Sequence, residues 1–241
     1  MQNAAFTRKS FFLMSLNTLL CLLLLLFRSY KSDFDGLAST DVGEMISLRG
    51  TSFLFLVWNL FLAWTPYFLA LLINSLSALK WPKLIVLFGV FIWLLFFPNA
   101  PYIITDLLHL KYRAPIPMWY DVLLIFSFAW TGVLLGFFSL FEIHFTLEKY
   151  FSKAFSWVLV LGCLALTGFG VFVGRFQRWN SWDIIQQPVA LFQDMLSVLS
   201  APLDHMRTFG LAIVLFSFLT IAYLTLFHLL NSKTITHVQQ S

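Results

Sequence analysis

The chain repeats one pattern six times: stretches of roughly 20 apolar residues, near 11–27, 51–73, 84–104, 118–141, 154–173 and 209–230, divided by links that hold nearly all of the charge. A peptide group inside a hydrocarbon layer has no water to bond, so a segment that crosses alone must be an α-helix, whose N–H and C=O groups satisfy one another. The whole chain agrees with that constraint. Apolar residues make up 60% of it and charged residues only 11%, whereas a water-soluble domain is about 25% charged. The expected fold is all-α, a polytopic transmembrane helical bundle of about six spans, with residues 1–241 forming a single integral membrane domain.

The first stretch follows Arg8 and Lys9, as a signal peptide would. No small-residue cleavage pattern precedes Arg28 to Lys31, however, so it reads as an uncleaved span. Residues 28–50 read as the longest early loop, and Pro66 is expected to bend the second span. The third span is irregular. From Leu84 an apolar helix meets Pro98 after about 21 Å, against a hydrocarbon core of ~30 Å. Pro98 and Pro101 are therefore expected to break it, leaving 102–110 to finish the crossing or lie re-entrant. Gly132 with Gly136, and Gly168, Gly170 and Gly174, mark places for close helix contact. Between the fifth and sixth spans, Ile185, Val189, Phe192, Leu196 and Leu199 recur at helical spacing. They predict an amphipathic interfacial helix near 184–200 at the membrane surface, ended by Pro202.

Six spans put the N-terminus, the links 74–83 and 142–153 and the C-terminal tail on one side. The loops 28–50, 105–117 and 174–208 fall on the other. Basic residues divide 7 to 8 between the sides, so their number does not orient the chain. Their kind differs: lysine dominates the first side, while arginine with most of the acids dominates the second. Arginine suits planar pairing with carboxylate or phosphate. On that argument the lysine side, with both termini, is cytoplasmic in the cell membrane.

Three polar and aromatic stretches fall on the opposite, extracytoplasmic face: 98–109, 119–121 and 174–183. Asp106 and His109, at i and i+3, share a face if their segment is helical. Asp121 lies just inside a span, where an ionisable group is expensive unless paired or wet. Arg175 and Arg178 are also at i and i+3, and the simplest electrostatic reading pairs them with Asp106, Asp121 and Asp183. A buried salt-bridge network that locks helix ends accounts for the same residues without chemistry. Asn180 or Ser181 can cap a following helix with Asp183 in its first turn. Trp119, Trp179 and Trp182 read as interfacial anchors, and His144 with Glu148 as a solvated link. Asp106 and His109 fall short of the three ligands a catalytic metal needs, and a third would have to come from Asp121 or Asp183, so no metal site is assigned. Cys21 and Cys163 lie in apolar stretches and suggest neither a disulfide framework nor zinc.

PNAPYIITDLLHL, PMWYD and GRFQRWNSWD together resemble the signature stretches of a bacterial family of integral membrane proteins, domain of unknown function 1361. The resemblance implies a polytopic membrane architecture and singles out Asn99, Tyr102, Asp106, His109, Asp121, Arg175, Arg178, Asn180 and Asp183. It hands over no catalytic roles and names no cofactor, which the sequence leaves open.

Three functions compete. An enzyme at the outer leaflet would act on an amphiphilic, anionic substrate such as a lipid-linked phosphate or sugar. Asp106, His109 and Asp121 would be its catalytic groups, and Arg175, Arg178, Asn180, Asp183, Asn99 and Tyr102 its substrate-binding ones. A transporter would also use a broken helix, although no internal repeat stands out. A structural or assembly subunit would use the outer cluster as a docking face. Serine-hydrolase, HExxH and Walker motifs are absent. The net charge of +4 without a basic block gives no case for nucleic acid, so membrane lipids are the expected surroundings.

Overall fold

A computed structural model describes residues 4–36, 53–110, 116–177, 179, 183–200 and 206–238. Every long element among them is helical. Six helices are long and apolar enough to cross a membrane: Thr7–Lys31, Leu54–Ala78, Lys83–Leu108, Met118–Leu147, Lys153–Phe176 and Phe209–Leu230. Large apolar side chains such as Leu16, Leu23, Phe61, Phe88, Phe126 and Trp130 point outward, which suits a lipid surrounding and no aqueous one. This is a multi-pass membrane protein.

The chain divides into two compact units, Met1–Tyr150 and Phe151–Ser241. In the first, helix α1 (Ala4–Gly36) packs with α5 (Met118–Leu147), and α2 (Leu54–Ala78) packs with both α5 and the third span. Helix α5 is the centre: 61% of its apolar window is buried, against 22% for the first span. Its core partners include Met14 and Leu25 of α1, Leu60 and Tyr67 of α2, and Ala100 and Ile103 of the third span.

Two expected boundaries move. Helix α1 runs through Arg28, which is buried, so the early loop starts later than 28. Helix α5 runs to Leu147, and both Glu142 and His144 are buried. The solvated link expected at His144 is instead the last turns of a packed helix. Both extensions have one physical cause: the polar side chains find partners inside the unit, so the helices need not end in water to satisfy them.

The third span breaks where the prolines stand. Helix α3 (Lys83–Phe96) gives way to a single turn, α4 (Asn99–Tyr102), and then to a 3₁₀ segment, Ile103–His109. The Phe97 carbonyl accepts from the Ala100 N–H at 3.2 Å, and that of Pro98 from the Tyr102 N–H at 3.0 Å, so the break does not strand these groups. The third span starts just after the end of α2, past a turn where Lys80 has φ 58, and by Asp106 it has reached Asn59 near the start of α2. The segment finishes the crossing. Gly132 and Gly136 receive it: a Cβ on Gly132 would stand 2.7 Å from the Ala100 carbonyl oxygen, and one on Gly136 3.2 Å from the Ala100 Cβ.

The second unit pairs α6 (Lys153–Phe176) with α9 (Met206–Val238), joined through α7 (Asp183–Gln186) and α8 (Pro188–Ser200). Ser152 caps α6 by accepting from the Phe155 N–H at 3.3 Å. Of the expected small residues, Gly168 makes a close approach, since a Cβ there would stand 2.5 Å from the Ala212 carbonyl oxygen. Trp157 packs edge-on against Phe227 at 4.8 Å. Helix α8 is the expected amphipathic element. Its Val189, Phe192 and Leu196 are exposed while Leu191 and Val198 are buried.

Candidate functional site

Asp121 stands in the first turn of α5, where the helix dipole favours a negative charge. Its partner is Arg28 of α1. The Arg28 Nε donates to Oδ1 at 3.1 Å and Nη2 to Oδ2 at 3.5 Å, with side-chain exposures of 7% for Arg28 and 1% for Asp121. The guanidinium also lies 5.0 Å over the Phe53 ring, and the neighbouring Tyr120 hydroxyl donates to the Leu24 carbonyl at 2.7 Å. A carboxylate so clamped, with a cation over an aromatic face behind it, is built to tie α1 to the starts of α2 and α5.

Asp106 sits in the first turn of the 3₁₀ segment with no exposed surface. The Asn59 side-chain amide donates to its Oδ2 at 2.7 Å, and Thr105 donates to the Tyr102 carbonyl at 2.7 Å beside it. His109 closes the same segment. In a helix of three residues per turn, positions i and i+3 eclipse, so the backbone register puts 106 and 109 in line. Asn99 and Tyr102 are half-buried on α4.

In the second unit, Arg175 is half-buried in the last turn of α6 and Asp183 half-buried in the first turn of α7. Arg178, Asn180, Ser181, Trp182 and Pro202 lie outside the described residues, as does the side chain of His109. Trp179 donates to Asp194 at 2.9 Å. Among the described residues no group of three His, Cys, Asp or Glu side chains is placed to hold a metal.

Three groups here were missed by reading the sequence. Arg28 looked like the edge of a loop, and Asn59 was passed over although a lone carboxamide inside an apolar stretch is a readable signal. The third lies at the other end of the same unit. Glu142, 2% exposed, accepts from the Thr7 hydroxyl at 2.9 Å and from the Asn74 amide at 2.8 Å. The Asn74 carbonyl in turn accepts from Lys149 at 3.0 Å and Thr146 at 3.4 Å. His144, fully buried, has its Nε2 3.7 Å from Glu148, and Tyr150 donates to Ser77 at 3.2 Å.

No curated protein and no solved structure is significantly similar to the chain. A family model described as Protein of unknown function (DUF1361) matches residues 58–223. That stretch carries Asn59, Asp106, Asp121 and Glu142, while Arg28 and Thr7 precede it. Covering well over half of the chain, the match makes this protein a member of the DUF1361 family.

Proposed function

We propose that the protein lies in the cell membrane with both termini cytoplasmic and acts, at the extracytoplasmic end, on an amphiphilic anionic substrate such as a lipid-linked phosphate or sugar. Asp106 supports this reading most: it is a carboxylate without exposed surface, on a span that abandons α-helical geometry just there. Ionisable groups at membrane depth are costly, which makes them functional candidates by default. In this reading Asp106 and His109 are the proton-moving groups of the first unit, and Arg175 and Arg178 the anion-binding candidates of the second. Asn99 and Tyr102 in the first unit, and Asn180 and Asp183 in the second, are the remaining binding candidates. Asp121, held by Arg28, fixes the start of α5 rather than reacting.

The test is a comparison of cellular lipids and cell-wall precursors in strains carrying Asp106→Asn or Arg175→Ala, with protein abundance matched. The expected result is an accumulated lipid-linked species in both. An unchanged profile at normal abundance overturns the reading. The buried Arg28–Asp121 pair favours a second reading, a structural or assembly subunit, under which Asp121→Asn lowers abundance and Asp106→Asn changes no lipid.

A further inference from the structure

We infer that Glu142 is a proton-binding site, separate from the Asp106 region, whose occupancy is passed through Asn74 to Lys149 at the surface. The observation is a connected set of hydrogen bonds at the end of the first unit opposite to Asp121. Both Glu142 oxygens are occupied, Oε1 by Thr7 of α1 and Oε2 by Asn74 of α2. The Asn74 oxygen, pointing the other way, holds the Lys149 ammonium and the Thr146 hydroxyl. Lys149 is exposed, so one end of the chain of contacts is in water and the other is sealed.

A second feature lies deeper on the same face of α2, about two turns before Asn74. The Tyr67 hydroxyl is fully buried and has no hydrogen-bond partner among the described residues. A buried hydroxyl left over in this way is uncommon and calls for a cause. The further ionisable groups at this end of these elements are Arg8 and Lys9 beside Thr7, Lys80 and Lys83 around the turn after α2, and His144, Glu148 and Tyr150 at the end of α5.

Desolvation disfavours the charged form of any carboxyl, while donated hydrogen bonds favour it. Glu142 is subject to both. When it is ionised, Asn74 must turn its NH₂ toward the carboxylate and its oxygen toward Lys149, as observed. When Oε2 carries a proton it becomes a donor, and Asn74 meets it with its oxygen only by rotating the amide. The NH₂ then faces Lys149, and an ammonium has no acceptor to offer it. A proton on Oε2 therefore releases Lys149 and loosens the joint between α2 and the end of α5, whereas one on Oε1 would be met by the Thr7 hydroxyl, which can accept as well as donate.

The test uses the full-length protein in its native membranes and dicyclohexylcarbodiimide, which adds to protonated carboxyls in apolar surroundings. Peptide mass spectrometry should find the adduct on Glu142, several-fold more abundant at acidic than at alkaline pH. Infrared pH-difference spectra of the purified protein should show a protonated-carboxyl band that is lost in Glu142→Gln. Should that variant not fold, Thr7→Val, which keeps the carboxyl and removes one donor, should shift the band. No adduct at any pH, an adduct independent of pH, or a band indifferent to Thr7→Val each overturns the inference.

Discussion

Arg28 and Asp121 make each other tolerable. Breaking a buried ion pair from one side costs about 3–5 kcal/mol because the remaining charge is stranded, whereas replacing both partners with apolar residues of similar volume is often neutral. Arg28→Met and Asp121→Leu singly are therefore expected to lower the melting temperature of the detergent-solubilised protein sharply. The double variant should recover most of the loss. If the double variant is worse than either single one, the pair is not a closed unit. The sequence marked Asp121 as a residue in need of a partner but supplied the wrong candidates. Arg28 was hidden because hydropathy places the end of a span at its first charge, and only the tertiary partner, |i−j| = 93, shows that the helix continues. Glu142 was hidden in the same way, with partners 135 and 68 residues away in sequence. Asp106 was legible by its spacing from His109, and its amide partner Asn59 was visible as a polar residue in an apolar run, although reading the sequence passed it over.

At the scale of elements, the broken third span and the glycines of α5 are one feature. Proline opens the helix, and Gly132 lets the opened backbone approach until a carbonyl oxygen stands 2.7 Å from where a Cβ would be. Gly132→Ala is expected to cost about 1–3 kcal/mol by overpacking. Gly162 of α6 supplies the control: nothing lies within 4 Å of a Cβ there, so Gly162→Ala should be stabilising by up to about 1 kcal/mol through helix propensity. Thermal unfolding in one detergent reads both signs. Both the break and the GxxxG spacing could be read from the sequence, but not that they face each other, because proline position and glycine spacing carry no information about which helix is the neighbour. Helix α8 was legible as an amphipathic stripe, and its Phe192 is exposed. Phe192→Trp in vesicles should be quenched by lipids brominated near the headgroup and not by lipids brominated at the chain terminus. Strong quenching by the latter would place α8 in the bilayer core instead.

At the scale of the whole molecule, the six spans were legible because hydrocarbon imposes helices and length alone counts them. Sidedness was not, since basic residues are balanced between the two faces. It can be measured directly. Cys21 and Cys163 are buried, so a thiol introduced at Tyr30, which is exposed, or at Leu79, which is also exposed, should be the main target of a membrane-impermeant maleimide. Tyr30→Cys is expected to label in intact cells and Leu79→Cys only after lysis. The reverse pattern would turn the protein over and move the Asp106 end into the cytoplasm.

The order in which the paired charges are made has a consequence for biosynthesis. Arg28 enters the membrane with the first helix, long before Asp121 has been synthesised. An arginine can wait, because its long stem lets the guanidinium reach the headgroups while its methylenes stay in lipid. An aspartate cannot, because its carboxylate stands one methylene from the backbone. Made in this order, the longer and more patient charge is already in place when the short one arrives, and the fourth span never has to enter lipid with an uncompensated carboxylate.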